Sequence, residues 1–427
     1  MADAPDGNEV ARPLRRWLGP VTAGEFTRLS GGASKETWSF DAIAGDGTRT
    51  GLILRRDASG RPAEPEALHR EAAAISAAYG AGLPVPELLF MFEAGLPAFG
   101  TGGMIMRRVD GETIARRILR DHEYAGARSV LVRQLGEFAA RLHAQQVPTH
   151  FPRPDPLAGL REQLDAFGQP SEVFELALAE LTKNPPPSRE PVLLHGDFRL
   201  GNVVVGTDGL RAVLDWELTH VGNPAEDLGW LSVKAWRFGA RAPVAGLGSR
   251  EELLASYRSA GGADISLAEL RWWEILGTLR WGVICLTQAW AHLSGAHRSV
   301  ELAAIGRRVC EQEWDLLLLL DPEAADRAAR SRPRPSGAAQ ERPAPYGRPT
   351  ASELLEAVRE YLLGSVMPAT TGQVAFHARV AANALAIVAR ELEVGQAQPA
   401  GEVVAADLAS RVAASLAVAN PKYFGDA

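Results

Sequence analysis

Residues 192–216 restrict what this chain can fold into more than any other stretch. Three short apolar runs, 192–194, 203–205 and 211–214, read as buried strands. The first two bracket a polar loop, His195-Gly196-Asp197-Phe198-Arg199-Leu200-Gly201-Asn202, and Thr207-Asp208-Gly209 turns the chain between the second and third. Two strands joined by so tight a turn bring Asn202 close to Asp215, with Asp197 on the loop just before them. Turn composition alone accounts for any one of these residues. Their ordered combination is what narrows the chemistry.

Phosphoryl transfer from ATP needs such a set: a carboxylate to position and deprotonate an attacking hydroxyl, and oxygen donors to hold Mg²⁺ against the phosphates. Asp197 is the expected base, and Asn202 and Asp215 the expected metal ligands. Arg199, two residues past the base, is placed to neutralise charge on the transferring group. His195 is expected to prop the loop through a backbone hydrogen bond.

The motif His-Gly-Asp-x4-Asn, followed by a strand and Asp215-Trp216-Glu217, resembles the aminoglycoside-phosphotransferase-like family, relatives of the protein kinases. The resemblance covers about the first 320 residues and implies an α+β, bilobal protein-kinase-like fold. A small β-rich N-lobe (1–107) would bind nucleotide, and a larger, mainly helical C-lobe (108–321) would carry catalysis and acceptor binding. Upstream, the strand–turn–strand segment 26–40 contains Gly31, Gly32 and Ser34, whose backbone and hydroxyl donors can approach phosphates. It also resembles the family's Gly-Gly-x-Ser-x-x-Thr loop. Where the kinase template has a phosphate-binding lysine, this chain has Arg55, which stays cationic and grips phosphate bidentately without reproducing lysine geometry. Glu71, on an alanine-rich helix opened by Pro65, is its expected partner. Met106 lies where the resemblance places the adenine, although a methionine there serves equally as core. Asp227 resembles a residue that braces the catalytic loop.

Residues 216–320 hold 12 acidic against 10 basic side chains, a net of −2, and eight of the chain's ten tryptophans. A polycationic antibiotic wants a strongly acidic pocket, so this stretch suits a partly apolar acceptor better. Trp236-Arg237 and Arg280-Trp281 set a cation beside an indole, usable for a ligand with both an acyl chain and phosphates. The same tryptophans can instead fill a helical core. Leu228-Gly229-Trp230 and Trp236-Arg237-Phe238-Gly239 resemble the branch related to the kinase portion of certain acyl-CoA dehydrogenases, which implies phosphorylation of a hydroxyacyl-CoA such as a 4-hydroxyacyl-CoA. An aminoglycoside kinase and a nucleotide-binding pseudokinase scaffold are the alternatives.

The net charge of −7 argues against general nucleic-acid binding. Cys285 and Cys310 form neither a disulfide framework nor a metal cluster, which fits a reducing cytoplasm. The uncharged or nearly uncharged stretches 281–297 and 361–378 are too polar and too short to span a bilayer, so no membrane partner is expected. Residues 1–20 read as a poorly ordered lead-in. Residues 322–348, with five prolines and six arginines, read as a linker. Thr350 and Glu353 then form a capping box that opens a helical accessory domain, 349–427, with helices near 351–363, 371–395 and 402–419. Three alanine-rich helices are marginal alone, so docking on the kinase or on a dimer mate is expected. This segment resembles a small helical domain of unassigned function.

Overall fold

Alternation of buried and half-exposed side chains builds the first sheet. In the computed structural model, β3 (Lys35–Ala44) buries every second residue, and β4 (Arg49–Asp57) pairs with it antiparallel. With β1 (Val21–Ala23), β2 (Thr27–Leu29), β5 (Leu88–Phe92) and β6 (Gly103–Arg107), these make a six-stranded antiparallel sheet of order β1-β3-β4-β6-β5, with β2 alongside β3. The structure describes residues 6–29, 35–57, 64–95, 99, 101–148, 150–167, 171–326, 351–397 and 408–426.

The expected disordered lead-in is corrected by the structure. Gly7–Leu18 is a helix, capped by the Asp6 carboxylate, which accepts from the Asn8 amide at 2.8 Å. Val10 and Leu14, spaced i and i+4, are fully buried in the same cluster as Trp38, Phe40, Leu52 and Ile105. Burying that stripe gives a sheet face its cover and gives the helix its stability.

The chain divides into two compact units, Met1–Pro154 with Pro187–Glu274, and Asp155–Pro186 with Ile275–Ala427. Besides the sheet, the first contains the helix Pro65–Gly80, which starts on its proline and turns Leu68, Glu71, Ala72 and Ile75 inward. It also holds two small antiparallel pairs: β7 (Val192–Leu194) with β10 (His220–Gly222), and β8 (Val203–Gly206) with β9 (Gly209–Val213). Helices Ala115–Arg120, Ala125–His143, Ala225–Ser232 and Arg250–Ser259 also belong to it, together with the first residues of Leu267–Leu293. Gly229 permits close packing there, since a Cβ would sit 2.4 Å from that of Trp273.

The second unit is helical and includes Glu172–Lys183, Val309–Leu320, Ala351–Tyr361, Gly372–Ala397 and Leu408–Ala419. Its C-terminal segment bonds to earlier helices of the same unit. The Tyr423 hydroxyl donates to Asp315 at 2.7 Å, the Asn420 amide to Glu311 at 2.9 Å, and Arg411 to Glu172 at 2.7 Å. No described helix is long and apolar enough to cross a membrane. Thr350 of the expected capping box, and the linker beyond Asp326, lie outside the described residues.

Candidate active site

The β8–β9 hairpin sets the spacing of the site. Val203 faces Val213 across the pair, and the Leu214 amide donates to the Asn202 carbonyl at 2.8 Å, so Asn202 and Asp215 flank one ladder rung. Asp215 turns out of the strand at φ 67°, a left-handed conformation uncommon outside glycine.

The loop before β8 is held from beneath. The Asp197 amide donates to His195 Nδ1 at 3.1 Å, which makes Nε2 the protonated nitrogen and the donor to the Leu214 carbonyl at 2.9 Å. The fully buried Asp227 accepts from the His195 and Gly196 amides, both at 2.9 Å, and from His143 at 3.3 Å. Burial pushes the Asp227 carboxyl up, but the His143 hydrogen bond and charge, with the His195 donor, hold it below its ordinary 3.8. His143 is braced in turn by the Tyr257 hydroxyl at 2.8 Å, a structural arrangement. Gly196 is required where it stands: at φ 81° a Cβ would lie 2.2 Å from the Leu218 carbonyl oxygen.

Above this brace, the Asp197 carboxylate is gripped by three side chains. Trp230 Nε1 donates to Oδ1 at 2.7 Å, Asn202 Nδ2 to Oδ2 at 2.6 Å, and Arg199 Nε reaches both oxygens at 3.0 and 3.1 Å. The Arg199 guanidinium lies 4.6 Å from the centre of the Trp236 ring. Gly201 makes room for it, since a Cβ there would come within 2.3 Å of Nη1.

On the sheet side, Arg55 extends from β4 to three carboxylates. It bonds Glu71 on the helix Pro65–Gly80, Asp215 at 2.5 Å and Glu217 at 3.3 Å. Burial works against the Arg55 charge, but Glu71, Asp215 and Glu217 together overcome it and keep the guanidinium protonated. For Glu71 burial dominates and pushes the carboxyl up against the pull of Arg55 and Lys35.

The structure therefore brings together Asp197, Arg199, Asn202, Asp215, Arg55, Glu71 and Trp236. Met106 is a buried residue of β6, opposite Ile53 and Leu88. Gly31, Gly32 and Ser34 fall outside the described residues. Arg237 donates to Glu274 at 2.8 Å and to the Ser232 carbonyl at 2.7 Å, an internal tie rather than a display toward Asp197. Arg280 and Trp281 belong to the second unit, where Arg308 lies 5.7 Å from the Trp281 ring centre. Sequence reasoning missed Trp230 and Glu217. The signal for Glu217 was its place two residues past Asp215; Trp230 carried no signal of its own.

Among the described residues, no group of three or more His, Cys, Asp or Glu could hold a metal ion. The donors here are instead one amide and one carboxylate, hard oxygens of the kind Mg²⁺ takes when phosphates and water complete its shell. They fit that ion.

The profile of the phosphotransferase enzyme family (APH) matches residues 25–273, and that of a domain of unknown function (DUF6285) matches 368–406. Acyl-CoA dehydrogenase family member 11 of Gallus gallus is 31% identical over 199 residues, 42% of this chain and 24% of that protein. Its Homo sapiens counterpart is 28% identical over 215 residues, 44% and 27%. The chain thus spans about a quarter of the length of these relatives. Among solved structures, a candidate aminoglycoside phosphotransferase from Ralstonia eutropha superposes with TM-score 0.55 at 18% identity, covering 73% of this chain and 98% of that one. Spectinomycin phosphotransferase, solved with ADP and spectinomycin, does so with TM-score 0.50 at 12% identity, covering 74% and 99%. At those identities the likeness is one of fold: α+β, protein-kinase-like, here with further C-terminal helices. With the family profile spanning more than half its length, the chain belongs to the phosphotransferase enzyme family and is itself a phosphotransferase.

Proposed function

We propose that the protein transfers the γ-phosphoryl group of ATP, with Mg²⁺, to a hydroxyl of a small molecule, and that the acceptor is a hydroxyacyl-CoA. The observation that carries the reading is the Asp197 carboxylate, oriented by Trp230, Arg199 and Asn202 beside the Asn202–Asp215 pair.

Asp197 accepts the acceptor's hydroxyl proton as the new O–P bond forms and the bond from γ-phosphorus to the β,γ-bridging oxygen breaks. The products are a phosphate monoester, ADP and one proton. Arg199, seated on Trp236, offers its outer nitrogens to the equatorial oxygens of the transferring group. Asn202 and Asp215 would hold Mg²⁺, which would supply charge neutralisation at the phosphates. Arg55, fixed by Glu71, binds the upstream phosphates, with Gly31, Gly32 and Ser34 as the covering loop and Met106 against adenine.

Support for the acyl-CoA acceptor comes from the names of the curated relatives and from the near-neutral, tryptophan-rich stretch 216–320. A test is to incubate the protein with Mg·ATP and, separately, hydroxyacyl-CoA thioesters and aminoglycosides. Phosphorylation of a thioester is the expected result. Phosphorylation of aminoglycosides alone would move the acceptor to that class, and nucleotide binding without turnover on any alcohol would leave a scaffold.

A further inference from the structure

We infer that Trp230 is a positioning residue for phosphoryl transfer: its indole N–H fixes the plane of the Asp197 carboxylate toward the acceptor hydroxyl. The inference rests on the reading of Asp197 as the base.

A carboxylate on a loop turns freely about its last side-chain bond, and only some orientations aim a lone pair at a hydroxyl. Here each oxygen has its own fixed donor, Trp230 Nε1 on Oδ1 at 2.7 Å and Asn202 Nδ2 on Oδ2 at 2.6 Å. Arg199 Nε, shared between the two oxygens at 3.0 and 3.1 Å, rests on a side chain that has its own work on the phosphoryl group. Asn202 is likewise shared with the metal. Trp230 is the donor without a second duty in the proposed chemistry.

It is also buried and mounted on a helix. Trp230 is 3% exposed on the helix Ala225–Ser232, one turn after Asp227, the carboxylate that anchors the loop backbone. One short helix therefore sets both the main chain of the loop, through Asp227, and the side chain of its base, through Trp230. The Trp236 ring, 5.3 Å from that of Trp230, continues the surface and seats Arg199. A tryptophan serving only as core filler has no need to place its one polar atom on the base.

The test replaces the N–H and keeps the ring. Trp230→Phe, and as a shape-matched second variant the protein with benzothienylalanine at position 230, each remove the donor. Both are expected to lower kcat about 10- to 100-fold, the order for losing one hydrogen bond to a charged group, with KM for ATP within about threefold. Trp230→His, which restores a ring N–H, should recover part of kcat. If Trp230→Phe does not fold, the benzothienylalanine protein decides the matter. Wild-type kcat in that protein would overturn the inference. Absence of wild-type turnover on any alcohol would instead count against the base assignment itself.

Discussion

The loop and hairpin of residues 192–230 and the helices of residues 351–397 handle their side chains in opposite ways. In the first, the polar groups of His195, Asp197, Asn202 and Asp227 find partners inside the protein, down to individual backbone amides. In the second, Ala351–Tyr361 buries none of its residues, and its apolar stripe Leu354, Val358 and Tyr361 is 54%, 49% and 61% exposed. Buried polar groups without partners cost free energy, so a region rich in them tolerates few arrangements. A half-exposed apolar helix tolerates many. The difference separates a region whose sequence dictates geometry from one whose sequence dictates only periodicity.

Substitutions in the two regions should therefore differ sharply in cost. Asp227→Asn leaves at least one loop amide facing a donor and removes the charge opposite His143; the loss should be about 3–5 kcal/mol, read by denaturant unfolding, with turnover lost in parallel. The sign of its pH dependence follows from the depressed carboxyl. The wild-type contribution is complete above the unfolded value near 3.8 and disappears as pH falls through the lower folded value, so the variant should show a flatter acid limb of stability.

Smaller effects belong to the second unit. Tyr423→Phe removes the donor to the buried Asp315 and should cost about 1–3 kcal/mol. Cys285 and Cys310, both in that unit and pushed up to about 12 by burial, make a convenient readout. Their labelling by a thiol reagent should be slow in the wild type and faster in the variant. Least of all, Val358→Ser on the exposed stripe should change stability by no more than about 0.5 kcal/mol. A cost as large as that of Tyr423→Phe would mean the stripe is covered in solution.

Much of the site could be read from residue order because its chemistry fixes both type and spacing: Asp197, Asn202 and Asp215 converge through a hairpin that the sequence announces. Arg55 and Glu71 were legible as a cation at a strand end and an acid on the next helix. Trp230 was not, because nothing in a tryptophan's position along a helix tells whether its N–H meets solvent, core or a carboxylate. The helix Gly7–Leu18 was hidden for a different reason. Val10, Ala11 and Leu14 are a short stripe among charges, and only the sheet they cover makes them a core. Of the tryptophans in 216–320, Trp216, Trp272, Trp273 and Trp314 are buried, Trp230 and Trp236 are buried and also touch Asp197 and Arg199, and Trp290 is exposed.

In the proposed reaction Asp197 acts on the acceptor rather than on the nucleotide. Parallel measurement of turnover and Mg·ATP affinity in Asp197→Ala tests this most directly. The prediction is a fall in kcat of about 10²–10⁴, the usual contribution of a general base, with nucleotide affinity within about threefold of wild type. Turnover equal to wild type, or nucleotide binding lost together with it, would contradict the assignment.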